Sequence, residues 1–442
     1  MRAVVGGATV TCTFGTGAVD AERTLVRIFV RDDHVRVLPF SAAANDAPAA
    51  AYARWRMRPA RAFYFLYYAS LAALMPYLAI YFASRGLSGL EIGILTSILP
   101  LVTMLGAPFW TEIADATGRH RTVLVSVIAV VLAAAFGLSL ATHVVPLALL
   151  TALLAFHLAP AMPLLDHAVL EALGDRAHAY GRQRVWGAIG WAVAAPAAGW
   201  ATSTFGLPWA FYLFLAIMPW VAVVAARVPF AASVGRRRIG GGLPLVLRDS
   251  RWIPFLLTGF AGGLGLAVVS YFLPLHLRDL GASFTLIGVA VAIPAISEIP
   301  FMVLGGLLLA SVGPRRMLIV AVAMMALRLL LSGVVTDHVA LALVQVLHGP
   351  SFGVLWIAGV AYARELAPLG SRAVAQGLFV AVTGGLGGFA GSLLGGVTYD
   401  ALGGAGTFLV AAAFTALAAV LLAAWRPVPP VVAPDTADVP IG

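Results

Sequence analysis

Lysine does not occur in this chain: all 28 basic side chains are arginine. Cysteine occurs once, at Cys12, which rules out a disulfide within the chain. Charged residues make up only 11% of the 442 positions, whereas 61% are hydrophobic. A soluble domain would carry about a quarter charged residues, so a water-exposed surface of the usual kind is excluded. Catalytic signatures are missing too. There is no H-E-x-x-H, no G-x-S-x-G and no cysteine in an apolar run, which argues against an intramembrane enzyme. The net charge of +9 is not a nucleic-acid footprint, because the arginines sit in short clusters between apolar runs rather than on one polar face. Nothing calls for a metal or a cofactor.

What is present is a series of long apolar segments, near 62–84, 90–111, 122–142, 145–165, 185–205, 207–227, 253–277, 284–310, 316–336, 339–361, 373–396 and 404–425. Each has about 20 residues or more, enough to cross ~30 Å of hydrocarbon at 1.5 Å per residue. The expected fold class is therefore an all-α membrane protein with twelve transmembrane helices. Alternate loops hold the arginines: Arg119 and Arg121; Arg176, Arg182 and Arg184; Arg236 to Arg238, Arg248 and Arg251; Arg315 and Arg316; Arg364 and Arg372. The opposite loops have little beyond Arg85 and Arg278. The positive-inside rule then places both termini in the cytoplasm, with the chain a multi-pass protein of the cytoplasmic (inner) membrane.

Residues 1–56 break the pattern. "TLVRIFVRDDHVRVLPF" can form a short strand pair and "SAAANDAPAAAYA" has linker composition. The stretch is either a cytoplasmic tail or untranslated sequence before a start at Met57. The rest divides in two, since "TEIADATGRHR" (111–121) and "GGLLLASVGPRR" (305–316) align at an offset of 195 residues, Gly118 on Gly313. That offset superposes six segments on six. The plan is an N-terminal six-helix half at 57–227, a linker at 228–251, a C-terminal half at 252–426 and a tail at 427–442. Two repeated halves imply an alternating-access transporter with its site between them.

"DATGRHR" resembles the loop motif of the major facilitator superfamily, G-x-x-x-D-x-x-G-R-x-R. Asp115, Gly118, Arg119 and Arg121 match, and Thr111 stands where the first glycine is expected. The resemblance makes this loop a gating latch. Its aspartate is suited to capping or pairing at a helix end, and its arginines to anionic lipid or neighbouring helix ends. "YGRQRVWGAIGW" (180–191) resembles the start of the fifth helix in the lactose permease, phenylpropionate-permease-like and nucleoside–proton symporter groups. "LVQVLHGPSFGVLWIAGVAYA" (343–363) is similar to the tenth helix of the phenylpropionate-like group. The likeness covers about residues 61–425.

Charges inside the segments each need a partner, because one at mid-bilayer costs roughly 2.5–3.5 kcal/mol on insertion scales. Glu298, Arg328 and His348 lie in the eighth, ninth and tenth segments, at depths of ~21, ~12 and ~14 Å from their outer ends. A Glu298–Arg328 pair would tolerate the low dielectric, and protonating Glu298 would free the arginine for substrate, water or His348. The lactose permease group has a similar acid, arginine and histidine on these helices. Here Glu298 lies about one turn nearer the cytoplasm, and Ser351 stands where that group's tenth-helix glutamate would be. The resemblance so shifts the proton-coupling role to Glu298, with Arg328 and His348. The same three residues would equally serve as a buried lock between helices.

In the first half, the resemblance makes Asp166 a substrate acid and Arg184 its partner. The hairpin between them returns the chain so that the two can face each other and grip hydroxyls or a carboxylate, or else serve as ordinary interface charges. Trp191 shares a helical face with Arg184 and could place its indole against a substrate ring, and Tyr64, Tyr68 and His348 complete the expected binding set. Gly187 and Gly190, like Gly384, Gly388, Gly391 and Gly395, suit close helix packing. His157 is expected to be structural. The sequence thus points to a monomeric secondary transporter moving a small organic solute, an aromatic carboxylate, sugar or nucleoside, by proton symport. Proton-coupled export of a drug or metabolite is the alternative.

Overall fold

The computed structural model describes residues 2–5, 8–11, 26–31, 34–39, 57–230, 246, 249–368 and 371–425. The chain forms two units, Met1–Arg56 and Met57–Gly442. In the first, β1 (Arg2–Val5) pairs antiparallel with β2 (Ala8–Thr11), and β3 (Val26–Arg31) with β4 (His34–Pro39). The second hairpin is the strand pair expected there, so the all-α description applies to the second unit alone. The expected linker at 41–53, most of the 228–251 linker and the tail at 427–442 lie outside the described residues.

Among its described residues the second unit is built of helices: α1 (Arg58–Ser84), α2 (Gly89–Thr117), α3 (His120–Leu140), α4 (Val144–Leu173), α5 (Gly181–Phe205), α6 (Trp209–Ala225), α7 (Trp252–Asp279), α8 (Phe284–Val312), α9 (Pro314–Val334), α10 (His338–Leu366) and α11 (Arg372–Ala424). Among the described residues, nine of these are long and apolar enough to cross a membrane. The other two are α5, whose 25 residues include Arg182, Gln183 and Arg184, and α6, which has 17. α11, at 53 residues, is two limbs that meet at Gly403, where φ is +69°. The second limb turns back along α9: Gly333 meets Ala405 and Leu409, while Arg315, at the other end of α9, donates to the carbonyls of Leu422 and Trp425. All twelve apolar segments are therefore helical. Their outer faces expose Leu149, Val303 and Leu307, a surface suited to lipid rather than water.

The 195-residue repeat is written into the backbone. Gly86 and Gly281 both have φ near +82°, a left-handed turn that glycine takes at no steric cost. Ser88 and Ser283 then cap α2 and α8, each hydroxyl accepting an amide of the first turn. Gly118 and Gly313 end the same helices with φ of +65° and +80°. The arginine loops repeat too. Arg121 donates to the Val228 carbonyl just beyond α6, as Arg315 does at the end of α11, so each holds a helix C-terminus where positive charge is favoured.

Two seams join the halves. Gly93 and Gly288, again 195 apart, mark them: a Cβ on Gly93 would come within 2.7 Å of Gly396 Cα in α11, and one on Gly288 within 2.3 Å of the Ala195 carbonyl in α5. Among the described residues, every hydrogen bond between the halves lies on the side of the α1–α2 loop or at mid-helix. They join Tyr77 to Phe284, Gly89 and Leu90 to Asp400, Ser203 to Thr285, and Trp191 to Val291. The molecule is fastened at that end.

Candidate functional site

In the first half, proline and glycine place the polar groups. α4 is interrupted at Ala159 and Pro160, where the proline has no amide to offer, and resumes at Ala161 carrying Asp166. The turn Gly174–Ala179 then returns the chain into α5. α5 packs so tightly on α1 that a Cβ on Gly187 would lie 2.5 Å from the Tyr68 ring, and one on Gly190 2.2 Å from the Phe65 carbonyl. These two glycines of the 180–191 motif bring the tyrosines of α1 to the charges of α4 and α5.

The result is a five-residue cluster. Arg184 pairs with Asp166 at 2.8 Å and donates to the hydroxyls of Tyr180 at 3.0 Å and Tyr68 at 3.4 Å. Tyr64, fully buried, donates to the other Asp166 oxygen at 2.5 Å. Arg184 and Asp166 keep side-chain exposures of 40% and 24%, so the ion pair is open to a solute. Neighbouring Gln183 is buried and accepts from Arg61 at 2.7 Å, tying the start of α5 to α1.

In the second half, Pro350 disrupts the α-helical ladder of α10. Gln345–Leu347 is a 3₁₀ turn, and Gly349–Gly353 is a π turn of the kind common at functional sites. Gly349 lets α10 touch α8: its amide donates to Ser297 at 3.0 Å, and a Cβ there would lie 2.2 Å from the Ser297 carbonyl. Glu298 is thereby delivered to His348 at 2.8 Å. His348 Nδ1 faces Arg328 at 2.7 Å, and Arg328 also donates to the Gln345 side-chain oxygen from Nε at 3.0 Å and from Nη2 at 2.6 Å. Arg328 and Gln345 are buried almost completely.

The order of this chain corrects the expected Glu298–Arg328 pair. Among the described residues no ion pair joins these two; the imidazole stands between them. Gln345 was not anticipated. Its signal is a lone amide one turn before His348 in an otherwise apolar run. Ser351, in place of the expected glutamate, bonds back to the Leu347 carbonyl and belongs to the helix.

Trp191 donates its indole N–H to the Val291 carbonyl of α8 at 2.8 Å, so it ties α5 to the opposite half. Around the α2–α3 turn, Asp115 pairs with His120 at 2.8 Å, Gly118 supplies the left-handed cap, Arg119 is exposed and Arg121 holds the end of α6. Thr111 bonds within its own helix. His157 donates to the Leu153 carbonyl at 2.8 Å, a structural bond as expected.

Two helical halves related by a repeat, each with its own polar cluster, define a polytopic transporter fold. The crystal structure of the nucleoside transporter NupG shares it, with a TM-score of 0.74 at 18% identity, over 84% of this chain and 100% of that one. The chain belongs to the MFS_1 like family, whose sequence profile matches residues 57–410. It is 34% identical over 345 residues to a maltose permease of Geobacillus stearothermophilus, covering 76% of this chain and 85% of the relative. An uncharacterized transporter, YwbF, of Bacillus subtilis is 24% identical over 77% of this chain and 86% of its own length. The protein is a multi-pass membrane transporter of the major facilitator type and not an enzyme.

Proposed function

We propose that this transporter imports a small glycoside, a disaccharide such as maltose, across the cytoplasmic membrane together with a proton. One observation carries the proposal: an open carboxylate–guanidinium pair ringed by three phenols lies in one half, and a closed carboxylate–imidazole–guanidinium–amide chain in the other. The first suits a polyhydroxyl solute, since Asp166 accepts from hydroxyls and Arg184 donates in a planar fork. The 34% identity to a maltose permease supports a sugar over an aromatic acid or a nucleoside. The second cluster suits proton storage. With Glu298 ionised, its charge balances Arg328 and the buried group is electroneutral. With Glu298 protonated, a net positive charge is left in low dielectric, a state that must be relieved by movement. With the arginine loops cytoplasmic, the fastened end faces outward, as expected after the proton has left on the inner side.

Purified protein in liposomes, tested with labelled maltose, a nucleoside and an aromatic carboxylate under an imposed pH gradient, decides the matter. Maltose accumulation driven by external acid and abolished by an uncoupler is the expected result. Accumulation of one of the other solutes alone overturns the substrate assignment. Movement of substrate against an inward proton flux overturns symport in favour of export.

A further inference from the structure

The two seams end in a pair of helix caps that cross between the halves and touch neither polar cluster. Asp400, in the first limb of α11, accepts from the amides of Gly89 at 2.5 Å and Leu90 at 2.8 Å, the first two of α2 in the opposite half. On the other seam, Ser203 of α5 accepts from the amide of Thr285 at 3.0 Å, the second of α8. Leu90 and Thr285 are 195 residues apart, so the repeat sets the two caps at equivalent places. Only the capping group differs, a carboxylate on one seam and a hydroxyl on the other. Both helices already carry their own caps in Ser88 and Ser283, so neither needs the foreign group in order to end.

We infer that Asp400 is the latch that holds this end of the transporter shut, and that it sets the balance between the two access states. A cap of this kind exists only while the seam is closed, so its free energy weighs on that state alone. A carboxylate on the free amides of a helix N-terminus gains from both hydrogen bonding and the helix dipole, whereas the serine gains only the former. Gly89 is the residue that admits it: a Cβ there would lie 2.6 Å from the Asp400 oxygen and 3.0 Å from the Gly396 carbonyl. Adjacent Tyr399 turns the other way and donates to Asp279 of α7, so consecutive residues bind α11 to its own half and to the opposite one. The latch is independent of solute and of proton coupling, and rests only on the halves alternating.

Accessibility tests it. With Cys12 replaced by serine, a reporter cysteine at Ser270, which lines a cavity with Pro100 and Gly388 deeper along the same seam, is alkylated by a membrane-impermeant maleimide. Vesicles of both orientations are used. Asp400→Asn is expected to speed labelling from the face of the α1–α2 loop about fivefold, as a helix-terminus charge of this strength allows. Asp400→Glu should restore much of the parent rate, and Ser203→Ala should have a smaller effect. Gly89→Ala, which strikes the same contact from the other half, should act in the same direction, so a folding defect in one variant leaves the other as the test. Unchanged labelling in both from either face overturns the latch. A faster rate seen only in the vesicle orientation expected to hide that face leaves the latch standing and overturns the assigned topology.

Discussion

Arg328 meets Nδ1 of His348 at 2.7 Å, and this contact fixes which ring nitrogen holds the proton. A guanidinium only donates, so Nδ1 accepts, and a neutral imidazole must then carry its hydrogen on Nε2, aimed at the Glu298 carboxylate 2.8 Å away. Gln345 is oriented just as firmly: its oxygen takes two bonds from Arg328 while its amide nitrogen donates to the Leu341 carbonyl. In the whole series only Glu298 can take up a proton without a bond being broken.

Glu298→Gln keeps an acceptor for the imidazole and removes the titration. Proton-driven accumulation is expected to disappear and the pH dependence to flatten, while exchange of labelled for unlabelled solute across the membrane continues. Accumulation by the variant with the parent's pH profile would sink the proton role of Glu298.

Gln345→Leu removes the one oxygen that accepts two bonds from Arg328, a residue that is 1% exposed. Hydrogen bonds to charged groups are worth about 1.5–3 kcal/mol each, so the variant should unfold at a clearly lower temperature in detergent. Gln345→Glu retains an oxygen acceptor at that place and should be more stable than the leucine variant. Equal melting of Gln345→Leu and the parent would show that Arg328 does not depend on this amide.

Tyr64→Phe removes the buried hydroxyl that positions Asp166 but leaves the ion pair with Arg184 intact. Hydrogen bonds to charged groups are worth about 1.5–3 kcal/mol, so KM for the solute should rise at least tenfold with a smaller change in Vmax. Arg184→Lys keeps the charge but loses the fork that serves Asp166, Tyr180 and Tyr68 together, and should not rescue affinity. An unchanged KM in both variants would remove this cluster from the binding site.

Much of this was legible in the sequence, because local physics fixes it. Apolar length set the helices, and the expense of burying charge singled out Asp166, Arg184, Glu298, Arg328 and His348. The 195-residue offset already predicted paired turns such as Gly118 and Gly313. Gln345 stayed hidden because an uncharged amide in an apolar run carries little signal. Placing the imidazole between Glu298 and Arg328 depends on where Pro350 breaks α10, to within a residue. Trp191, Ser203 and Asp400 were out of reach for another reason: their partners lie in the opposite half, 82 to 311 residues away, and the contacts belong to one arrangement of the halves.

That dependence on arrangement makes the seam glycines a sharp test. A methyl group on Gly288 would sit 2.3 Å from the Ala195 carbonyl, and one on Gly93 2.7 Å from Gly396 Cα. Both obstacles are backbone, which cannot turn aside as a side chain can, so the closed seam must part. The site within each half does not involve these positions. Gly288→Ala and Gly93→Ala are therefore expected to bind solute in detergent with near-parent affinity, yet to lower Vmax for uptake severalfold by disfavouring the closed state. Gly306→Ala is the control: it lies on the same helix as Gly288, but a Cβ there meets nothing within 4 Å. Alanine in a helix is favoured over glycine by about 1 kcal/mol, so this variant should match or exceed the parent in stability and transport normally. If all three alanine variants behaved alike, the effect would belong to helix propensity and not to the seams.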